Sequence, residues 1–304
     1  MKAARVEGTA TPVVIRPGAS ERSWRGTFLS SVDNNHNDDD ITSSSLDESV
    51  EEMMTFAERK RFLTANNGNE EKAMAQLQAY LEARDEFQGT QLQLEVSYQS
   101  LIDSHGRDYY DWMIASETAK EAYNEDKSSA MLPRIMRTHI MEDGKEACDL
   151  EGHRILHVLP AQIDPALFSL KTYALAIALY LDRKVSRESV ETLTVLLDVR
   201  GGAGWANPKA FNLMPFIEET CSILISMFPE RMHKTIIYPL PYALTWTLQS
   251  IVSSVLDAKT VQKLAILSGQ TGVDAPMPRQ KLLIHVDEKV ASICERERLE
   301  AFTI

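Results

Sequence analysis

Residues 228–267 read F-P-E-R-M-H-K-T-I-I-Y-P-L-P-Y-A-L-T-W-T-L-Q-S-I-V-S-S-V-L-D-A-K-T-V-Q-K-L-A-I-L, and between Lys234 and Asp257 there is no charged side chain. A short apolar run, Thr235 to Tyr238, comes first and a Pro-Leu-Pro break follows. Beyond the break Leu244, Leu248, Ile251, Val252 and Val255 recur at helical spacing. The opposite face, Thr245, Thr247, Gln249, Ser250, Ser253 and Ser254, is polar but uncharged. Surface helices of soluble proteins usually carry Lys or Glu on the wet face. A helix without them can lie against water or hydrocarbon at modest cost. A membrane span is excluded, because Pro239 and Pro241 interrupt the run and the helical part falls short of the ~20 residues a spanning helix needs. Two readings stay open on these residues alone: a buried core helix, and a movable lid over an apolar cavity.

The set Phe228-Pro229-Glu230-Arg231, Ile236-Ile237, Pro241, Trp246 and Leu256-Asp257-x-x-Thr260-x-x-Lys263 resembles the CRAL-TRIO lipid-binding family. The resemblance covers about residues 55–85 and 150–268. It favours the lid, a gate helix over Tyr242 to Leu256. It implies that Glu230, Thr260 and Lys263 contact an inositol headgroup. The chemistry fits: a lysine neutralises phosphate as a point charge. A threonine hydroxyl donates to a phosphate oxygen, and a carboxylate accepts from inositol hydroxyls. Read alone, Glu230 and Lys263 are surface charges and Thr260 an ordinary helix residue. Arg231 reads as structural, pairing with the neighbouring helix.

Composition narrows the alternatives. The chain has 304 residues, room for one or two domains with a sizeable core, and 44% hydrophobic and 25% charged residues, ordinary for a globular protein. A net charge of −12 argues against nucleic acid as a partner and against constitutive attachment to anionic membranes. Cys148, Cys221 and Cys294 are widely spaced, with no C-x-x-C, so neither a thiolate metal site nor a disulfide framework is expected. A reducing, cytoplasmic compartment follows. The N-terminus lacks the apolar core of a secretory signal, and Arg16, Arg22 and Arg25 among small residues give only weak support to a transit peptide.

In chain order, residues 1–50 read as an acidic disordered tail, because Asp33, Asp38, Asp39, Asp40, Asp47 and Glu48 stand among Ser and Asn. Residues 51–140 read as a helical lobe. The turn Asn66-Asn67-Gly68-Asn69 separates two helices in it, and residues 85–150 continue mostly helical, with a break at Met131-Leu132-Pro133-Arg134. This lobe resembles the one preceding the lipid domain in the family, with Thr64 and Asn66 where the family has two arginines, the second near the headgroup phosphate. Residues 141–304 read as the lipid-binding domain. Its strands are Ile155–Leu159, the continuous apolar run Glu191–Gly201 expected at the sheet centre, Thr235–Tyr238 and Lys263–Leu267. Helices are expected after Asp164-Pro165, over Pro208–Met227 and over Glu288–Phe302.

Other chemistry finds little support. Gly201-Gly202-Ala203-Gly204 lacks the third glycine of a dinucleotide loop and the Lys-Ser/Thr of a P-loop, and reads as a flexible strand-to-helix turn. His153 and His157 stand on a strand without an H-E-x-x-H pattern, so no metal is expected there. There is no G-x-S-x-G, and no catalytic constellation suggests an enzyme. The expected fold is α/β: a mixed, mainly parallel sheet flooring an apolar lipid pocket closed by the gate helix, with an N-terminal helical lobe. Tyr242, Leu244, Trp246, Leu248, Ile251, Val252, Val255, Phe211 and Phe216 are expected to line gate and pocket. The expected function is to bind one phospholipid, phosphatidylinositol, and to transfer or present it at transiently contacted membranes, with no cofactor beyond the bound lipid. The rivals are a carrier of a non-phosphorylated hydrophobe such as a tocopherol or retinoid, and an interaction module with a vestigial pocket.

Overall fold

The computed structural model describes residues 54–97, 99–122, 131–245 and 258–302. The acidic tail and most of the expected gate helix lie outside them. Thr55 opens the first helix, α1 (Phe56–Ala65), with a reciprocal capping box: its hydroxyl accepts from Glu58 N, and the Glu58 carboxylate accepts from Thr55 N. The Asn-Asn-Gly-Asn turn follows, with Asn67 and Gly68 both at positive φ, and α2 (Glu70–Ser97) runs back along α1. The helices α3 (Gln99–His105) and α4 (Arg107–Ala122) complete the lobe. The helical expectation for residues 85–150 holds to the end of α4. Residues 131–150 are extended or turn, because their polar groups pair in short antiparallel bridges such as Ile140 with Glu146.

The sheet runs β1 (Met136–Arg137), β2 (Arg154–Val158), β3 (Leu193–Asp198), β4 (Met232–Leu240) and β5 (Leu264–Ser268) in that spatial order. The β1–β2 pair is antiparallel and every other pair is parallel. The expected α/β fold is therefore present, with β3 at its centre. Pro239 does not end its strand: β4 continues to Leu240, with a register shift between Ile237 and Leu240. A proline has no N–H to give a ladder, so a local irregularity is where it can be accommodated.

Layers of helix cover both faces. On one, α5 (Leu170–Lys184) is buried continuously from Thr172 to Leu181. A helix apolar all round belongs inside a protein, and α5 lies between α4 and α6 (Met214–Met227). The expected start of α5 at Asp164 is corrected: Asp164 closes a local turn by accepting from Ala166 N, and Ser169 caps the helix by accepting from Thr172 N. Likewise, the helix expected from Pro208 begins as a 3-10 turn at Ala210–Leu213, and its regular part starts at Met214. After a short helix α7 (Ala258–Val261) and β5 come α8 (Arg279–Leu282) and α9 (Glu288–Phe302), where α9 has the expected bounds and covers the other face of the sheet. Asp287 caps it, accepting from Val290 N at 2.7 Å.

The Gly201–Gly204 loop is tied down rather than flexible. Asn207 accepts from Gly202 N at 2.7 Å and donates to Gly202 O at 2.8 Å, and Arg298 donates to Gly201 O. A Cβ at Gly202 would sit 2.2 Å from the Phe302 ring. Gly202→Ala should therefore destabilise the fold by about 1–3 kcal/mol in urea unfolding, the usual overpacking range. An unchanged midpoint would show that the α9 end gives way freely.

Candidate lipid site

Side chains alternate along the strands. On β3, Thr194, Leu196 and Asp198 are buried toward α9, whereas Leu193, Val195 and Leu197 face α5 and α6. Val195 and Leu197 are only half-buried although they sit on the central strand. On β5, Ala265 and Leu267 pack with the α9-side cluster, so Leu264 and Ile266 point to the α6 side, and they too are half-buried. A strip of aliphatic side chains on the inner face of the sheet is thus incompletely covered among the described residues.

A charged group stands where β4 and β5 begin. Glu230 precedes β4 and Lys263 precedes β5, and the strands pair there through Thr235 N and Lys263 O. Lys263 Nζ lies 3.7 Å from Glu230 Oε2 and donates to Met232 O at 2.9 Å. Lys259 Nζ lies 2.5 Å from Glu230 Oε1. Two ammonium groups therefore converge on one carboxylate. Glu230 is held at φ 56°, a left-handed conformation uncommon for a residue with a Cβ. Thr260 sits on α7 between the two lysines. Sequence reading missed Lys259, although its place beside Thr260 and one helical turn before Lys263 was visible.

Of the expected pocket residues, Tyr242 and Leu244 are exposed (86% and 46%) on a helical turn at 242–245. Phe216 is buried in the main core with Ile223 and Met227. Trp246, Leu248, Ile251, Val252 and Val255 lie outside the described residues, as does the side chain of Phe211. Arg231 is structural, as expected, but its partners are corrected: it donates to Glu191 O and Ser186 O in the loop between α5 and β3, not to a helix. Asn66 is structural too. It donates to Phe62 O and Gln76 Oε1, and Gln76 donates to Ile225 O and Ser226 O at the end of α6. It thereby joins α1 and α2 to α6, and presents no charge to a phosphate.

The CRAL/TRIO domain family matches residues 144–291. The chain therefore carries a CRAL/TRIO domain, a domain of the lipid-binding kind, as the motifs implied. Among solved structures, the crystal structure of Sfh5 is similar at 15% identity with a TM-score of 0.36, over 56% of this chain and 57% of that one. This chain thus spans little more than half of that neighbour's length. No curated protein matches the chain. No helix among the described residues is long and apolar enough to cross a membrane.

Proposed function

We propose that this chain binds a single phospholipid, phosphatidylinositol, and transfers or presents it between membranes that it touches transiently, working in the cytoplasm. One observation carries the reading: a half-covered aliphatic strip lies on the sheet among the described residues, and the Glu230–Lys263 pair stands where β4 and β5 begin. The acyl chains lie on Val195, Leu197, Leu264 and Ile266. Lys263 neutralises the phosphate, Thr260 donates to it, and Glu230 accepts from inositol hydroxyls. The backbone strain at Glu230 supports a functional carboxylate, since such conformations cluster at ligand sites.

Hydrophobic gain does not set the affinity. Each buried CH₂ is worth about 0.8 kcal/mol against water, but the lipid leaves one hydrocarbon phase for another and the two nearly cancel. The barrier is the passage through water. The uncharged segment 242–256 is suited to open against a bilayer, and the exposed Tyr242 and Leu244 give it apolar contact points.

Lys263→Ala tests the headgroup assignment. A charged hydrogen bond is worth ~1.5–3 kcal/mol, so phosphatidylinositol transfer between vesicles should fall about 10- to 100-fold. Any non-inositol lipid the protein carries should move at the wild-type rate. Equal loss for both lipids would remove the assignment.

A further inference from the structure

Three buried metal-binding side chains meet on the α9 face of the sheet, away from the lipid strip. His157 is the one residue of β2 besides Ile155 that the alternation sends towards α9 from inside the strand. His139 follows β1, and Cys294 is on α9. Their exposures are 4% for His139 and 0% for the other two. One ligand atom from each lies within 4.8 Å of the others. His139 Nε2 and His157 Nδ1 are 3.1 Å apart, with ring centroids at 5.2 Å and planes at 52°. Two nitrogens at that separation can both stand ~2.0–2.1 Å from one ion.

We propose that His139, His157 and Cys294 hold one thiophilic d10 cation, copper(I) or zinc(II), as a buried clasp joining α9 to the sheet. The donor set is the first reason: two imidazoles and a thiolate are the ligands that select these ions over calcium or magnesium. The second is geometric: the donors come from three separate elements, β2, the segment after β1, and α9, and they converge within 4.8 Å in the buried interior.

Charge narrows the choice of ion. Arg137, Arg200 and Arg298 all act on His157. Asp198 and Glu295 balance Arg200 and lie near Arg298, so the surroundings are not acidic enough to welcome a bare dication. One thiolate neutralises copper(I) fully and zinc(II) by half, and three ligands suffice for copper(I). Copper(I) is therefore the favoured ion. A second trio, Glu151, His153 and His233, is a poorer candidate: its imidazoles stack face to face at 3.6 Å, and Lys234 occupies Glu151 at 2.7 Å.

The full chain, stripped with chelator under reducing, anaerobic conditions, is loaded with copper(I) or zinc(II), desalted and assayed for metal per chain. One ion per chain is expected, with an N₂S ligand set in X-ray absorption and a raised melting temperature. His157→Gln and Cys294→Ser should each weaken retention about 100-fold or more, beyond the loss seen for indirect ligands, and Cys148→Ser should leave it unchanged. X-ray absorption on the unaltered chain keeps the test valid if a core variant fails to fold. Failure to retain either ion, retention by folded Cys294→Ser, or a spectrum without sulfur would overturn the proposal. None of these outcomes bears on lipid binding.

Discussion

Arg200→Ala is expected to lower stability by about 3–5 kcal/mol and to release α9 from the sheet. Arg200 and Asp198 are both fully buried. The guanidinium donates to Asp198 through Nε and Nη2, to Glu295 Oε1 at 2.9 Å and to Ala275 O at 3.1 Å. It therefore binds the end of β3, the segment before α8 and the C-terminal helix at once. Removing the guanidinium leaves the buried Asp198 carboxylate with only the backbone N–H of residue 200, at 3.1 Å, and Arg298, at 3.6 Å. Breaking a buried pair from one side typically costs about 3–5 kcal/mol, because the leftover charge stays desolvated. Urea unfolding measures the loss, and α9 amides should exchange faster than those of α5. A loss below about 1 kcal/mol would mean that water reaches Asp198 in the folded protein.

Glu58→Ala should have an effect of the same order at the other end of the molecule. Glu58 is fully buried on α1, and its carboxylate takes both Arg187 Nε and Nη2 at 2.7 and 2.8 Å, with the Tyr80 hydroxyl at 2.9 Å. Arg187 belongs to the loop after α5, so this contact bolts the helical lobe to the lipid domain. Arg61 adds to it by donating to Arg187 O and Ser189 O. Alanine removes the carboxylate that takes Arg187 Nε and Nη2 and the Tyr80 hydroxyl, a loss of about 3 kcal/mol or more. The pH dependence has a definite sign. Burial pushes the Glu58 carboxyl up, but the Arg187 and Thr55 hydrogen bonds and the Arg187 charge together bring it below its ordinary value of 4.5. Its contribution is therefore complete above about pH 4.5 and is lost as pH falls through the lower folded-state value. The difference in stability between wild type and Glu58→Ala should shrink below that pH. A difference that grew on acidification would contradict the pairing.

The central strand and the last helix were legible because their signals are local. A largely apolar run such as Leu193–Leu197, broken only by Thr194, has few uses except a strand covered on both faces, and Asp287 before an amphipathic segment announces a helix start. The Asp164-Pro165 pair misled because an Asx turn and a helix cap look alike in sequence, and the true cap, Ser169, came five residues later. Pro239 misled because a proline is compatible with a strand wherever the ladder shifts register. Long-range polar pairing was illegible for a different reason. Nothing about Arg200 names Glu295 as its partner, and nothing about Asn66 says that it will spend its amide on Phe62 and Gln76. At the candidate lipid site the motif carried Glu230, Thr260 and Lys263. Lys259 stood beside that motif in the sequence, but its pairing with Glu230 shows only where α7 and the residues before β4 lie side by side.

A lipid carrier is defined by what the folded chain carries. Native mass spectrometry of the full protein, recovered after mixing with vesicles of mixed phospholipids, reads this directly. The expected result is one phosphatidylinositol per chain, reduced in Lys263→Ala. A chain that emerges with no lipid, or with only a non-phosphorylated hydrophobe, would contradict it.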